Sequence, residues 1–429
     1  MGGNLAGPLI GIVTAPILAH VLGVEGRGQF AAATSPALLL TLAGTFGLPE
    51  AATYFVASTR LETRTALMRV VALSGVAGIL LAGALALVAP SVSTGEAYVT
   101  RLITYSGLAL PPTLIVGAIR GVAAGRGRWR LVSIEKYTNN GLRLVLVMAF
   151  ALLGWLNLLT AVMIYLGCPV LGGIVYLPFV RAIWRSWRPG GPAKHGVNRL
   201  LLRYGGSTWV GSLAGIVLSR IDQVLLAPMS GARELGLYAA AVALGEIPYV
   251  LSSAARDVTL AADAAAADDL RAQRASRIAL LGTAVLAGGL ALLAPVLVTI
   301  AFGRDFKDAA VMVQLLLLAA VLYASGSTAG ALLMSRGRPG IRSLSIAAAC
   351  LLNILVLPIL VPELGGVGAA WASVISYGFL SALTLVLARR MYGLPIISML
   401  IPSRHDVELA HQVIVRLRAR PSNGVQRGS

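Results

Sequence analysis

The chain has little of what a water-soluble enzyme needs. Only 12% of its 429 residues are charged and 6% are aromatic, whereas 57% are hydrophobic. A soluble globular chain carries about twice that charged fraction. A helix crosses the bilayer with about 20 apolar residues, so this length gives room for about a dozen crossings. The composition therefore excludes an ordinary soluble enzyme and predicts a membrane protein.

Cysteine and histidine are also scarce, and this argues against disulfide and metal chemistry. The chain has two cysteines and four histidines. Cys168 and Cys350 both lie in apolar runs, where a thiol usually serves as a small hydrophobic side chain. We expect no disulfide, no metal site and no cofactor, with coupling to H⁺, to Na⁺ or to the membrane potential left open.

Twelve apolar windows follow one another along the sequence. Each is long enough for one membrane crossing, so we predict an all-α fold with twelve transmembrane helices. The first window has no basic segment before it and no small-residue cleavage site, which identifies it as a retained span rather than a secretory signal. The windows are residues 5–21, 30–56, 70–89, 102–119, 131–153, 158–180, 207–229, 236–255, 278–302, 309–334, 344–361 and 367–387.

Basic residues alternate strictly between the two ends of the predicted bundle. Of the 35 lysines and arginines, twenty-eight lie in the even-numbered connections and the C-terminal tail, if Lys136 at the start of the fifth window is included. Five lie in the odd-numbered connections, and Arg143 and Arg220 lie within windows. Cytoplasmic loops hold an excess of Lys and Arg. The asymmetry predicts that both termini are cytoplasmic. It also explains the net charge of +18 through membrane insertion, without nucleic acid as a partner.

Two sequence landmarks recur at nearly the same spacing. Gly28–Ala33 opens the second window and Gly236–Ala241 opens the eighth, while the Arg-Gly-Arg at 126–128 returns at 336–338. Offsets of 208 and 210 residues predict a duplicated six-helix unit whose copies insert in the same direction. Such parallel repeats are typical of transporters with a substrate path between the halves. The predicted parts are two lobes, 1–190 and 207–390, a basic cytoplasmic linker, 191–206, and a basic cytoplasmic tail, 391–429.

Several motifs occur in an order that resembles a known family. Leu22-Gly23-Val24-Glu25-Gly26-Arg27-Gly28 precedes Gly47-Leu48-Pro49-Glu50-Ala51, Leu218–Asp222 precedes Gly236-Leu237-Tyr238, and Asn353–Pro362 runs into Gly365–Trp371. Over residues 10–390 the sequence resembles the polysaccharide-biosynthesis flippases of the multidrug/oligosaccharidyl-lipid/polysaccharide (MOP) exporter superfamily. The resemblance implies a V-shaped, two-lobed transporter in a bacterial inner membrane.

The resemblance also implies a function. Such a protein moves a polyprenyl-pyrophosphate-linked oligosaccharide from the cytoplasmic to the outer leaflet by alternating access, surrounded by membrane lipids and working with a polysaccharide polymerase or glycosyltransferases. The short outer connections disfavour an enzyme, because they leave no room for a catalytic domain. Two alternatives stay open: a cation-coupled multidrug exporter on the same twelve-helix plan, and a non-transporting scaffold of polysaccharide assembly.

An anionic head group needs a hydrated, cationic cavity, because a bare pyrophosphate in hydrocarbon is strongly unfavourable. Glu135, Asn139 and Arg143 recur every four residues on one face of the fifth predicted helix. We interpret this face as cavity lining, with Arg143 meeting a phosphate, since intramembrane ionisable groups usually face a bundle interior. The alternative is an interfacial helix end whose Arg143 extends to the head groups.

The seventh window carries Arg220 and Asp222. Residues two apart do not share a helix face, so one should face the cavity and the other a neighbouring helix. Glu246 lies at similar depth in the eighth window, which makes an ion pair with Arg220 geometrically feasible. Such a pair either fixes helix register or takes part in transport, with Arg220 binding pyrophosphate and Glu246 releasing it.

Three further residues complete the candidate set. Arg120 lies beyond the pair Pro111-Pro112 and is either a cavity-entrance residue or a charge that sets topology. Glu50 follows Pro49, which loosens the helix locally, and is either a titrating group coupled to ion movement or a side chain that reaches the interface. Asn353 joins the polar candidates because it begins one of the resembling motifs.

Overall fold

Helices make up nearly all of the described backbone. The computed structural model describes residues 3–93, 95–185, 196–265 and 269–401, and these contain no strand. In hydrocarbon, helices satisfy backbone hydrogen bonds that water cannot reach. The helices of the first half are α1 (Gly3–Ala43), α2 (Leu48–Ala57), α3 (Thr63–Val92), α4 (Ala97–Gly107), α5 (Leu110–Gly125), α6 (Trp129–Leu152), α7 (Leu158–Gly172) and α8 (Leu177–Arg185).

The second half repeats this arrangement. Short 3-10 helices, Gly173–Tyr176 and Arg304–Phe306, interrupt the first and second halves respectively. The helices of the second half are α9 (Val197–Leu218), α10 (Ile221–Gly245), α11 (Ile247–Ala265), α12 (Asp269–Phe302), α13 (Ala309–Ser335), α14 (Pro339–Tyr392) and α15 (Ile396–Leu400).

Two of the longest helical stretches cross the membrane twice. Among the described residues, eight stretches have the length and composition of a span; Ile10–Ala57 has 48 residues and Pro339–Tyr392 has 54. One crossing needs only about 20 residues. The chain turns back at Gly23 (φ 69°, ψ −177°) and at Gly365 (φ 55°, ψ −134°), conformations that essentially only glycine adopts. Together with a turn inside α10 and a crossing by α6, these turns give the described chain twelve crossings, which confirms the predicted fold.

The turning glycines also show the duplication. α10 turns back at Gly231 (φ 81°, ψ 180°), 208 residues after Gly23. The two parallel six-helix repeats therefore share their turns as well as their sequence landmarks. Further left-handed glycines pair at offsets of 208 to 211 residues: Gly95 with Gly303, Gly127 with Gly337, and Gly154 with Gly365.

The bundle has two distinct ends. Connections 58–62 and 126–128 lie at one end, which we call the basic end, and connections 153–157 and 303–308 lie at the opposite end. Near the opposite end the lobes cross at two glycines. A Cβ atom on Gly28 would overlap the carbonyl oxygen of Ala232, and one on Gly236 would overlap that of Val24. Since Val24 and Ala232 are also 208 residues apart, this crossing is itself a repeat-symmetric contact.

The lobes also touch at the basic end, where α2 packs on α9. The rings of Tyr54 and Tyr204 stack at 4.5 Å, and Trp209 Nε1 donates to the carbonyl oxygen of Ala43 at 2.5 Å. The predicted linker 191–206 is therefore too long: α9 begins at Val197. Its buried apolar side chains hold the segment in a helix while its arginines remain exposed, so the basic composition was misleading. Residues 186–195 lie outside the described part.

The predicted tail, 391–429, begins too early. α14 continues to Tyr392, and α15 packs against the second lobe through the buried side chains of Leu394 and Met399. Arg277 Nη1 donates to the carbonyl oxygen of Ser398 at 2.6 Å, which ties this segment to α12. Residues 402–429 lie outside the described residues.

Candidate functional site

A cavity of about 790 Å³ lies between the two lobes. Helices α1, α6 and α7 form its first wall, and α10, α11 and α12 form the second. Its volume is within the range of small-molecule sites, roughly 300–1,000 Å³. Most lining side chains are aliphatic, so its few charged groups determine which ions it attracts.

Three arginines and one carboxylate line the described cavity. Arg27 lies at the start of the second crossing, Arg143 lies on α6 and Arg220 lies at the junction of α9 and α10. Glu246 lies at the junction of α10 and α11. The cavity therefore carries an excess of positive charge in a region of low dielectric constant, where it attracts anions.

Arg143 is held in place by its neighbours on α6 and α7. Its Nη2 donates to Oδ1 of Asn140 at 2.8 Å, and its guanidinium lies 5.2 Å from the centroid of the Tyr165 ring. Its Nε has no hydrogen-bond partner among the described residues. A buried donor without a partner costs about 1–3 kcal/mol. An anion bound at this position would remove that cost.

Tyr165 lies among the three arginines of the cavity. Besides its contact with Arg143, it lines the same cavity as Arg27 and Arg220. Arg27 lies over Phe30, 5.3 Å from the ring centroid, and Phe30 meets Tyr165 edge to face at 5.6 Å. The Nε of Arg27 is buried and has no partner in the described part of the chain. We call these three arginines the arginine cluster.

The ion pair between Arg220 and Glu246 is present. Arg220 Nη1 lies 3.0 Å from Glu246 Oε1, and the two side chains are 26% and 47% exposed. Both residues lie at helix interruptions, because α9 ends before Arg220 and α10 ends before Glu246. These interruptions place the charges of two adjacent crossings side by side on the cavity wall. The incomplete burial leaves Arg220 accessible to an anion.

Asp222 points away from the cavity, as the two-residue spacing from Arg220 predicts. It is 7% exposed and accepts hydrogen bonds from the hydroxyl of Tyr238 and from the backbone N–H of Gln223. Gln223 itself lines the cavity and accepts from the Ser35 hydroxyl across the lobe boundary at 3.1 Å. Asp222 therefore stabilises the packing of the second lobe behind the cavity wall.

Arg120 and Glu135, both candidates from the sequence, form a pair outside the cavity lining. Arg120 Nε lies 2.9 Å from Oε2 of Glu135, and Nη2 lies 3.0 Å from Oε1. The Glu135 side chain is fully buried, and that of Arg120 is 37% exposed. Two parallel hydrogen bonds join α5 to α6 here. Glu135 lies two helical turns nearer the basic end than Arg143, beyond the reach of the cavity.

The other polar candidates also lie away from the cavity lining. Asn139 is half-buried and packs against Gly172 of α7. Glu50 is exposed in the first turn of α2. Asn353 is 1% exposed within the second lobe, and neither of its amide atoms has a hydrogen-bond partner among the described residues. The four-residue spacing of Glu135, Asn139 and Arg143 thus places only its last member in the cavity.

Two residues that line the cavity, Arg27 and Tyr165, were not predicted from the sequence. Arg27 was assigned to an outer connection because the apolar window begins only at Phe30; in the structure the helix resumes directly after Gly23. The glycine-rich run around Gly23 was the signal that could have located this sharp turn. Tyr165 carries no comparable signal, since a single tyrosine in an apolar window is usually a packing residue.

The fold has known relatives among solved structures. The chain matches a structure described as "Lipid II flippase MurJ, inward closed conformation" with a TM-score of 0.74 and 14% identity, covering 98% of this chain and 93% of that chain. It matches an inward-facing multidrug resistance MATE family transporter of the MOP superfamily with a TM-score of 0.71 and 16% identity, covering 90% and 95%. These likenesses define the class: a multi-pass membrane protein with the two-lobed MOP fold.

The sequence itself places the chain within that class. It matches the family described as "Polysaccharide biosynthesis protein" over residues 1–259, more than half of its length. The chain therefore belongs to this family, as the motif order in the sequence indicated. A search of curated protein sequences found no match.

Proposed function

We propose that the protein is a flippase for a polyprenyl-pyrophosphate-linked oligosaccharide, moving it from the cytoplasmic to the outer leaflet of a bacterial inner membrane. The observation that carries the proposal is the cavity between the lobes, lined by three arginines and one carboxylate. Membership of the polysaccharide biosynthesis protein family supports a cargo from that chemistry. A pyrophosphate is the strongly anionic part of such a lipid.

The arginine cluster suits a phosphate ligand. A guanidinium presents a planar fork of N–H donors that matches phosphate oxygens, and bonds between charged partners are the strong ones. The unpartnered Nε atoms of Arg27 and Arg143 supply donors that no described residue uses. Arg220 supplies a third guanidinium, for which a bound phosphate competes with Glu246. This competition gives the protein a way to hold the anion and later release it.

Alternating access follows from the way the lobes meet. With the basic end in the cytoplasm, as the positive-inside rule indicates, the crossing of Gly28 and Gly236 closes the outer end of the cavity. In this state the cargo enters from the cytoplasmic leaflet beside the contact between α2 and α9. Separation of the two glycines then opens the outer end, while Glu246 displaces the phosphate from Arg220.

Transport in reconstituted liposomes tests the proposal. The probe is a fluorescent, short-chain polyprenyl pyrophosphate disaccharide, whose arrival in the outer leaflet is followed by dithionite quenching. Arg143→Gln and Arg220→Gln should each lower the initial rate about tenfold or more, because a charge-assisted hydrogen bond contributes roughly 1.5–3 kcal/mol. Arg101→Gln, which removes an exposed arginine of α4, is the matched control. Wild-type rates in both cavity variants would contradict the proposal.

A cation-coupled multidrug exporter is the second candidate, favoured by the mostly aliphatic cavity wall and by the MATE transporter fold. The same liposomes separate the two functions. If the protein is a flippase for an anionic lipid, the organic cation ethidium should cross the membrane no faster than in protein-free liposomes. Saturable ethidium transport that survives Arg143→Gln would favour the exporter, because cationic cargo gains nothing from that arginine.

A further inference from the structure

The charged side chains of the cavity extend from the end near Gly23 to the pair of Arg220 and Glu246, and the lining nearer the basic end is apolar. Arg27 lies just beyond the turn at Gly23, beside the closed crossing of the lobes. Leu42 lines the cavity on the same helix, about 22 Å nearer the basic end at a rise of 1.5 Å per residue. Across from it stand Leu251 of α11 and Leu286 of α12. An anion held by the arginine cluster therefore has an aliphatic channel behind it.

The aliphatic side chains of this channel are open to whatever fills it. Leu42, Leu251 and Leu286 are 38%, 39% and 38% exposed, although all three line the cavity. Apolar surface of this kind gains free energy only by contact with another apolar surface. We call these three residues the leucine wall.

Most of the uncharged polar side chains in the cavity are already engaged with the protein. The hydroxyl of Thr14 donates to the carbonyl oxygen of Ile10 at 3.0 Å, and that of Thr34 donates to Phe30 at 2.8 Å. The Ser35 hydroxyl donates to Gln223 Oε1 at 3.1 Å. A sugar hydroxyl that loses water without finding a partner costs about as much as any buried polar group. The described lining therefore offers few free hydrogen-bond partners to the hydroxyl groups of a glycan.

We infer that the protein selects its cargo by the lipid–phosphate junction, with the phosphate on the arginine cluster and the adjoining hydrocarbon on the leucine wall. The inference rests on the proposed function and specifies which part of the cargo is recognised. The ligand class is a phosphate or pyrophosphate ester of an aliphatic or isoprenoid alcohol. Sugars attached to it are limited by space and contribute little to affinity.

Three small phosphates test the inference with the full chain in lipid nanodiscs. Inorganic phosphate, glucose 1-phosphate and hexyl phosphate share one anion, and the two esters carry six carbons each. Calorimetry should show that hexyl phosphate binds about tenfold or more tightly than the other two, the factor expected when roughly two methylene groups leave water. Nanodiscs carrying Arg143→Gln control for partition of hexyl phosphate into lipid.

Wall variants locate the effect. Leu251→Asn should remove the advantage of hexyl phosphate and leave the affinity for inorganic phosphate unchanged; Leu251→Ala gives a second measure if the polar variant is not folded. Leu344→Asn is the control, because Leu344 is 71% exposed near the basic end of α14 and lies outside the cavity lining. An unchanged preference for hexyl phosphate in both Leu251 variants would overturn the assignment of the hydrocarbon to this wall.

The outcomes separate the inference from the proposed function. If glucose 1-phosphate binds as tightly as hexyl phosphate or more tightly, the inference fails and an anion-binding flippase stands. If none of the three phosphates binds, or if Arg143→Gln weakens none of them, the inference and the proposed function fail together.

Discussion

At the scale of single residues, the cavity depends on a balance between Arg220 and Glu246. Their ion pair is partly exposed, so it contributes little to stability and remains open to competition by a stronger anion. A phosphate carries more charge than one carboxylate and accepts more hydrogen bonds, which lets it displace Glu246. In the proposed function, the return of Glu246 to Arg220 is the step that releases cargo.

Glu246→Gln tests this exchange. Without the competing carboxylate, inorganic pyrophosphate should bind about tenfold more tightly, because one unfavourable charge has been removed from the site. Flipping should slow, since release loses its competitor. Calorimetry and the liposome assay measure the two effects. Glu50→Gln is the matched control: Glu50 is exposed on α2, outside the cavity lining, and its removal should leave pyrophosphate affinity unchanged. Weaker pyrophosphate binding by Glu246→Gln would be incompatible with this role.

We expect Arg120 and Glu135 to contribute to stability and not to cargo binding. Removing one partner of a fully buried ion pair costs about 3–5 kcal/mol, and the partial exposure of Arg120 reduces the expected cost to about 1–2 kcal/mol. Arg120→Gln should therefore lower the melting temperature in detergent while pyrophosphate affinity stays at the wild-type value. A loss of affinity without a loss of thermal stability would return Arg120 to the set of cargo-binding residues.

At the scale of helices, hydropathy and charge predicted the crossings well, and the interruptions poorly. The apolar windows give the length of each crossing, and the alternation of arginines gives the direction of one crossing relative to the next. The twelve crossings were therefore predictable. No composition signal accompanies the break at Arg220, whereas Gly245 and Pro248 flank Glu246 and could have located that break. Arg27 shows the consequence, because a turn made by Gly23 alone leaves almost no loop and moves the arginine from a connection into the cavity wall.

The same limit applies to the fifth window. Periodicity correctly placed Glu135, Asn139 and Arg143 on one face, yet a helix face is longer than the cavity it borders. Glu135 meets Arg120 of α5, Asn139 packs on Gly172, and Arg143 alone reaches the space between the lobes. Helix packing decides which neighbouring element each turn of α6 contacts, and this cannot be derived from a single sequence.

The glycine crossing gives a prediction for a pair of helices. Gly28→Ala introduces a methyl group where the carbonyl oxygen of Ala232 now lies, so the two crossings must separate. The end of the cavity opposite the basic end should no longer close, and flipping should fall about tenfold or more, because the contact has lost its closed state. A thiol probe that does not cross membranes reports the opening through a cysteine at Thr34.

Gly83→Ala is the control for this change. A Cβ atom on Gly83 meets nothing within 4 Å, and this residue lies exposed on α3. Alanine is also the better helix former, so the control should fold and flip at least as well as the wild type. Full activity of Gly28→Ala would show that the close approach of the two glycines is unnecessary for transport.

At the scale of the whole molecule, symmetric lobes enclose an asymmetric site. The turns at Gly23 and Gly231 and the crossing at Gly28 and Gly236 obey the 208-residue repeat. The charges do not obey the repeat. Gly127 and Gly337 are 210 residues apart, and at the same offset Arg143 corresponds to the uncharged Asn353. The first lobe therefore contributes arginines that form no ion pair with any described residue, whereas the second contributes an ion pair. The two lobes therefore share a backbone arrangement but differ in the charges that they contribute to the cavity.

The contact between α2 and α9 identifies where such rocking would pivot. Gly47 and Gly205 approach so closely that a Cβ atom on Gly47 would overlap the backbone of Gly205, and the rings of Phe46 and Trp209 lie 5.0 Å apart. This contact lies at the basic end, whereas the cavity must open at the opposite end. A lobe can rotate about α2 and α9 and separate Gly28 from Gly236 without losing it.

A covalent bridge tests the pivot. Phe46→Cys with Trp209→Cys, in a chain whose buried Cys168 and Cys350 are replaced by alanine, can be joined by a bifunctional methanethiosulfonate. If α2 and α9 stay together throughout the cycle, the bridged protein should keep at least about half of its flipping rate, as expected for a hinge that absorbs rotation. The reduced protein and each single cysteine variant treated with the reagent are the controls. Complete and reversible loss of flipping on bridging, with both single variants active, would show that this contact opens during transport and that the lobes rotate about another axis.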